Sequence, residues 1–239
     1  MKVFISFATK GKFYKLGQRL IQEIENLELF DKTILYTDDH LKADTAFWEQ
    51  HHDFIENNER GYGYWLWKSY IIKKTLETLK NGDILLYFDS SFEIYPHMKQ
   101  NIKNLFSIVE KSYVVGSYCK ILCPEFKWNK MDLVKFLKMK EDKYLQTKQR
   151  QAGAIMLFKN ETTVALINDW YTLSSHYHYI NDDDSIETNL PGFTEHRHDQ
   201  SIFSLLTKKY NTYSDVDMFE YVSIIKNKNE RSVIRNITK

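Results

Sequence analysis

The chain has 239 residues, 43% hydrophobic and 27% charged, which suffices for one sizeable α/β domain or two small ones. A net charge of +1 gives no argument for nucleic-acid binding through bulk electrostatics. No run approaches about eighteen uninterrupted apolar residues, so no segment is expected to span a membrane, and only peripheral contact stays open.

The aromatic share is high, at 15%, and aromatic side chains beyond those a core needs line pockets for sugars or bases. Cys119 and Cys123 stand four apart with no second pair to complete a zinc site. They read as free thiols in a reducing cytoplasm.

Taken in order, Val3–Ala8 reads as a strand followed by the loop Thr9-Lys10-Gly11-Lys12. Leu16, Leu20, Ile21, Ile24 and Leu27 form a helical stripe, and Thr33–Tyr36 reads as a second strand ending in Thr37-Asp38-Asp39. This is β-α-β, the opening of a doubly wound sheet, and a nucleotide above its carboxyl ends would meet Phe7, Ala8, Thr9 and Tyr36 to Asp38. Leu41–Asn58 reads as polar and helical.

Arg60–Pro96 is the centre of the chain. An aromatic loop (Tyr62, Tyr64, Trp65, Trp67) leads into a helix carrying Leu66, Tyr70, Ile71, Leu76 and Leu79. Asn81-Gly82-Asp83 ends that helix, and Ile84–Phe88 is a continuous apolar run, as a strand buried on both faces requires. Asp89-Ser90-Ser91 closes it, where a carboxylate is placed to hold a metal or a sugar hydroxyl; the same residues also suit a plain turn.

His97–Lys111 follows as a helix, Tyr113–Ser117 as a strand and Trp128–Leu137 as a helix whose Asp132 reads as a surface or helix-start residue. Gln151–Phe158 is a central strand whose small first residues, with Gly153 among them, allow a ligand close to the backbone. After the helix Thr162–Ser174, the acidic loop Ile180–Gly192 is a candidate mobile lid or, equally, a merely solvated loop. Glu195-His196-Arg197-His198-Asp199-Gln200 then opens a helix, whose dipole is expected to hold Asp199 ionised. No repeat, low-complexity tract or linker appears, so a single domain is the economical reading.

The stretches RGYGYWLWKSYII and NGDILLYFDS, with EHRHDQSIFSLL far downstream, together resemble a family of small GT-A glycosyltransferases found in polysaccharide and glycan gene clusters. The resemblance covers most of the chain. It implies an α/β fold of GT-A type, a Rossmann-like, mixed but mainly parallel central sheet flanked by helices. One domain would span 1–239, with a nucleotide-binding half to about residue 95 and an acceptor-binding half after it.

It further implies a hexosyltransferase that moves a sugar from a nucleoside-diphosphate donor, UDP-sugar favoured, to a glycan hydroxyl. Its place would be the cytoplasm or the cytoplasmic membrane face, with no nucleic-acid partner. Residue by residue, Asp199 and Gln200 would be catalytic. Phe7, Ala8, Thr9, Arg60, Lys68, Gln151, Gly153 and His196 would bind substrate. Mn²⁺ or Mg²⁺ would rest on Asp89, Ser91 and His198.

Two departures stand out: the second acid of the family's DxD motif is Ser91, and no histidine follows His198. Lys68, Arg231 or Arg235 are the alternative counter-charges for a diphosphate. A non-catalytic sugar-nucleotide module and an Asp89-nucleophile phosphohydrolase are the competing classes. Inverting and retaining outcomes both remain open.

Overall fold

The computed structural model describes residues 1–119, 123–222 and 225–226, with only the backbone described for Lys12, Ile225 and Lys226. Arg231 and Arg235 lie outside the described residues. A five-stranded sheet in the order β2-β1-β3-β6-β5 organises the molecule. Its strands are β1 (Lys2–Phe7), β2 (Lys32–Tyr36), β3 (Ile84–Phe88), β5 (Val114–Tyr118) and β6 (Arg150–Phe158). β1 pairs parallel with β2 and β3, whereas β6 runs antiparallel to both β3 and β5. The class is therefore the expected one: α/β, with a mixed, mainly parallel sheet flanked by helices.

Strand alternation sends side chains to two cores. Val3, Ile5 and Phe7 of β1 join Leu85 and Tyr87 of β3 on one face. Phe4, Ile84, Leu86 and Phe88 go to the other.

The second face is covered by α1 (Lys12–Glu25) and α6 (Lys99–Ser112), the latter following a 3-10 turn at Pro96–Met98. α1 buries Leu16, Leu20 and Ile24 at four-residue spacing, which gives it a stripe facing the sheet. The first face carries α5 (Leu66–Thr78), α10 (Glu161–Ser175) and α11 (His198–Lys209), with α2 (Asp38–Ala43) and α3 (Thr45–Glu56) beyond them. Asn160 caps α10 by accepting from Thr163 N at 2.9 Å.

Short turns complete the chain: α4 (Gly61–Tyr64), α7 (Glu125–Trp128), α8 (Met131–Phe136), α9 (Asp142–Leu145) and α12 (Met218–Tyr221). A two-stranded ribbon pairs β4 (Phe92–Glu93) antiparallel with β7 (Ile225–Lys226). Neither of its strands is evident from periodicity, because two residues show none.

Because β6 is reversed, its first residues Arg150–Gly153 reach the same sheet edge as the carboxyl ends of β1, β3 and β5. Asp89 N donates to Gly153 O at 2.8 Å, which ties the residue after β3 to that edge. Asp89 lies two positions after Tyr87, on the sheet face covered by α5 and α11.

Candidate functional site

A cavity of about 500 Å³ opens above the carboxyl ends of β1 and β3, within the size range of small-ligand sites. Phe7, Ala8 and Thr9 at the end of β1 and Asp38 after β2 form one side. Tyr87, Asp89, Ser90 and Ser91 form the floor. Tyr62, Trp65 and Trp67, from the approach to α5, form an aromatic wall. Phe7 stacks on Trp67 with ring centroids 3.8 Å apart, so that wall is itself held against β1.

The wall rests on an unusual backbone. Gly61, Tyr62, Gly63, Tyr64 and Trp65 have φ of 62°, 55°, 80°, 50° and 60°, five left-handed residues in a row. Tyr64 N donates to Arg60 O at 2.8 Å and Trp65 N to Gly61 O at 3.2 Å, so the segment is one left-handed helical turn. Left-handed geometry costs roughly 1–2 kcal/mol per non-glycine residue. Two glycines lessen that cost, and the Trp67 indole N–H braces the turn by donating to Gly61 O at 2.9 Å. His198, also left-handed at φ 53°, lays its ring on Trp65 with centroids 5.4 Å apart.

Behind the floor lies a buried charge triad. Lys68 Nζ is 2.8 Å from Asp199 Oδ2 and 3.4 Å from Asp89 Oδ1. Lys68 and Asp199 are only 3% and 4% exposed, and neither lines the cavity. Tyr87 OH donates to Asp89 Oδ1 at 2.8 Å. Trp170 Nε1–H, from α10, donates to Asp199 O at 3.0 Å and fixes the first turn of α11.

Burial pushes the Asp199 carboxyl up to about 6, with Asp89 adding to the rise and Lys68 opposing it. Desolvation thus outweighs the helix dipole in setting this pKa, which still lies below neutral pH. Burial pulls Lys68 down, yet the two carboxylates overcome it and hold the ammonium above its ordinary pKa.

The other expected residues fall in three places. Gly153 lies directly behind Asp89, close enough that a Cβ there would sit 2.8 Å from Asp89 Oδ2. Gln200 and Gln151 form a polar row beside β5. Gln200 Nε2 donates to Gln149 Oε1 at 2.7 Å, and Gln151 Nε2 to Tyr118 O at 2.9 Å.

Arg60, His196 and His198 belong to the packing of the 180–192 loop and the turn at Asn129-Lys130. Arg60 pairs with Asp182 at 2.9 Å and Glu195 at 3.7 Å. His196 spends both ring nitrogens on backbone: Nδ1 accepts from Lys130 N and Nε2 donates to Tyr179 O. Its burial lowers the imidazole pKa to about 3.

The loop read as a lid or a solvated loop is tied to the body by side-chain contacts. Asp132, read from sequence as a surface or helix-start residue, stands in the first turn of α8 but is buried, and its Oδ1 accepts from Ile186 N at 3.1 Å and Glu187 N at 3.2 Å.

The resemblance implies Mn²⁺ or Mg²⁺ on Asp89, Ser91 and His198. Asp89 and Ser91 share the cavity, but His198 does not line it. Its Nδ1 is 2.7 Å from Ile180 O and its Nε2 is 3.6 Å from Asp182 Oδ1. Among the described residues no three His, Cys, Asp or Glu side chains converge as a metal cluster. The pair that remains is all oxygen, which suits a hard cation taking further ligands from phosphate and water. It does not suit a transition metal held through imidazole.

Sequence reading missed Tyr87, Glu59 and Phe13 as lining residues. Tyr87 was within reach, since it lies two residues before Asp89 and must share its face of the strand.

No family model matches the chain, and no curated protein does. Among solved structures it is similar to mouse xyloside xylosyltransferase 1 in its apo form, at 10% identity over 91% of this chain and 86% of that one, TM-score 0.44. It is similar to the galactosyltransferase LgtC in complex with donor and acceptor sugar analogues, at 13% identity over 89% and 72%, TM-score 0.46. It is also similar to 4-diphosphocytidyl-2C-methyl-D-erythritol synthase from Anaerococcus prevotii, at 9% identity over 98% and 95%, TM-score 0.38.

Proposed function

We propose that the chain is a glycosyltransferase of GT-A type that binds a nucleoside-diphosphate sugar, UDP-sugar first, in the cavity above β1 and β3. The observation that carries this reading is the composition of the cavity: one aromatic wall facing one carboxylate-and-hydroxyl floor. A base is favoured against the rings of Tyr62, Trp65 and Phe7, because stacking on aromatic side chains is worth about 1–3 kcal/mol per base. Asp89, Ser90 and Ser91 then receive the ribose and diphosphate, at the sheet edge where open α/β sheets bind ligands.

Charge sets a further requirement. Among the described lining residues Asp38, Glu59 and Asp89 face a single cation, Lys10. A diphosphate entering so acidic a cavity needs a positive partner. Mg²⁺ or Mn²⁺ held by Asp89 and Ser91 would supply it, offsetting the charge that grows on the leaving diphosphate.

In the transfer, the bond between the anomeric carbon and the β-phosphate oxygen breaks and the acceptor oxygen takes that carbon. Asp199, the base implied by the resemblance, lies behind Lys68 and off the cavity wall. In this reading the acceptor proton passes to the departing diphosphate oxygen.

Thermal-shift screening against UDP, GDP, dTDP and CMP and their sugars, with and without Mn²⁺, tests the reading. The expected result is a rise in Tm with UDP that is larger with the cation. No rise with any of them at millimolar ligand overturns nucleotide binding. A rise without any turnover of the bound donor would leave a binding module and overturn the transferase.

A further inference from the structure

We infer that Asp199 and Lys68 are positioning residues for Asp89, acting as a buried relay beneath the donor cavity rather than touching donor or acceptor. The inference rests on the nucleotide-sugar reading and deepens it, by assigning what sets the one floor carboxylate.

The geometry is asymmetric. Asp89 is 22% exposed at its side chain and lines the cavity, whereas the side chains of Lys68 and Asp199 are 4% and 6% exposed. Each link has its own element: Asp199 on α11, Lys68 on α5, Asp89 after β3. Lys68 stands closer to Asp199 than to Asp89, 2.8 Å against 3.4 Å, so its anchor is the buried acid.

Asp89 is bounded on both oxygens. Tyr87 OH and Lys68 Nζ approach Oδ1, and Oδ2 lies over Gly153, where a Cβ would come within 2.8 Å. A carboxylate so held presents one rotamer to the cavity. A general base at Asp199 would instead need a path to an acceptor hydroxyl, and Lys68 occupies the side of Asp199 that faces Asp89.

The two roles separate in the absence of acceptor. Calorimetric titration with UDP and Mg²⁺ on the full chain is the first readout. The relay predicts that Asp199→Asn weakens UDP binding about tenfold or more, although the residue lines no part of the cavity. A general base touching only the acceptor predicts unchanged affinity, and that result overturns the inference.

The double variant Lys68→Met/Asp199→Leu guards against mere misfolding. Replacing a buried ion pair with apolar side chains is often neutral or stabilising, while removing one partner is costly. It is therefore expected to melt near the wild type and still bind UDP poorly. Recovery of both melting temperature and affinity overturns the relay.

A stability cycle over Asp89→Asn and Asp199→Asn reads the coupling without any nucleotide. Non-additive shifts in Tm support the relay and additive ones overturn it. If the wild type binds no nucleotide, the proposed function fails, and this cycle still decides whether the relay exists.

Discussion

Tyr87 and Gly153 show how closely single atoms define the floor of the cavity. The Tyr87 phenol is held by burial far above its ordinary pKa, so it stays a hydrogen-bond donor to Asp89 throughout the working pH range. Gly153→Ala should push Asp89 Oδ2 aside, because the new Cβ would lie 2.8 Å from it. The expected outcome is about a tenfold loss of UDP–Mg²⁺ affinity with a small change in Tm, the free-energy equivalent of about 1.4 kcal/mol. Titration calorimetry beside a melting curve checks both halves, and unchanged affinity would remove Gly153 from the site.

The position of Asp89 was legible because an apolar strand ending in a carboxylate at a sheet edge is a local pattern. The Lys68–Asp199 pair was not. Its partners are far apart in sequence and meet only because α5 and α11 pack on the same sheet face. The raised pKa of Asp199 was hidden for a related reason: a helix dipole can be read from sequence, while the burial that outweighs it cannot.

Among the elements, the left-handed turn Gly61–Trp65 departs most from what periodicity offers. Sequence reading gives an aromatic loop there, since the glycines at positions 61 and 63 interrupt any helical or strand run. Positive φ at Tyr62, Tyr64 and Trp65 is sustained by i→i−4 hydrogen bonds and by ring packing on Phe7 and His198. Gly63→Ala places a side chain at φ 80°, with its Cβ 2.7 Å from Ile55 Cγ1. The cost should be on the order of 1–3 kcal/mol, seen as a Tm lowered by several degrees. Because Tyr62 and Trp65 line the cavity, UDP affinity should fall with it; a variant that melts and binds like the wild type would show the turn to be dispensable.

The 180–192 loop makes a complementary point. Its acidic composition was plain, but its anchorage on Asp132, Lys130 and Arg60 depends on distant elements meeting.

At the scale of the whole molecule, sheet class and strand positions follow from long apolar runs that alternate with helical stripes. The reversal of β6 does not, since an antiparallel partner and a parallel one present the same buried apolar strand. The molecule also buries groups that titrate in opposite senses.

His51 and His196 are lowered to about 4 and about 3 by burial, so the unfolded chain takes up protons first and stability is lost as pH falls below about 6.5. Glu23 acts the other way. Burial raises it from 4.5 to about 7, only partly opposed by the Ile94 N–H and by Arg19. Below pH 4.5 it is protonated in both states and contributes nothing. As pH rises towards 7 the unfolded chain ionises first, and the folded state loses stability until both forms are charged.

Glu23→Gln keeps a side-chain acceptor for Ile94 N and removes the charge. The variant should melt like the wild type near pH 4.5 and progressively above it up to pH 7, with a constant gap beyond. The plateau is expected on the order of 2 kcal/mol after discounting for partial exposure, or about 5 °C for a chain of this size. Melting curves of both proteins from pH 4 to 8 measure it. A gap that does not change with pH would mean that Glu23 is already ionised in the folded protein, held so by Arg19.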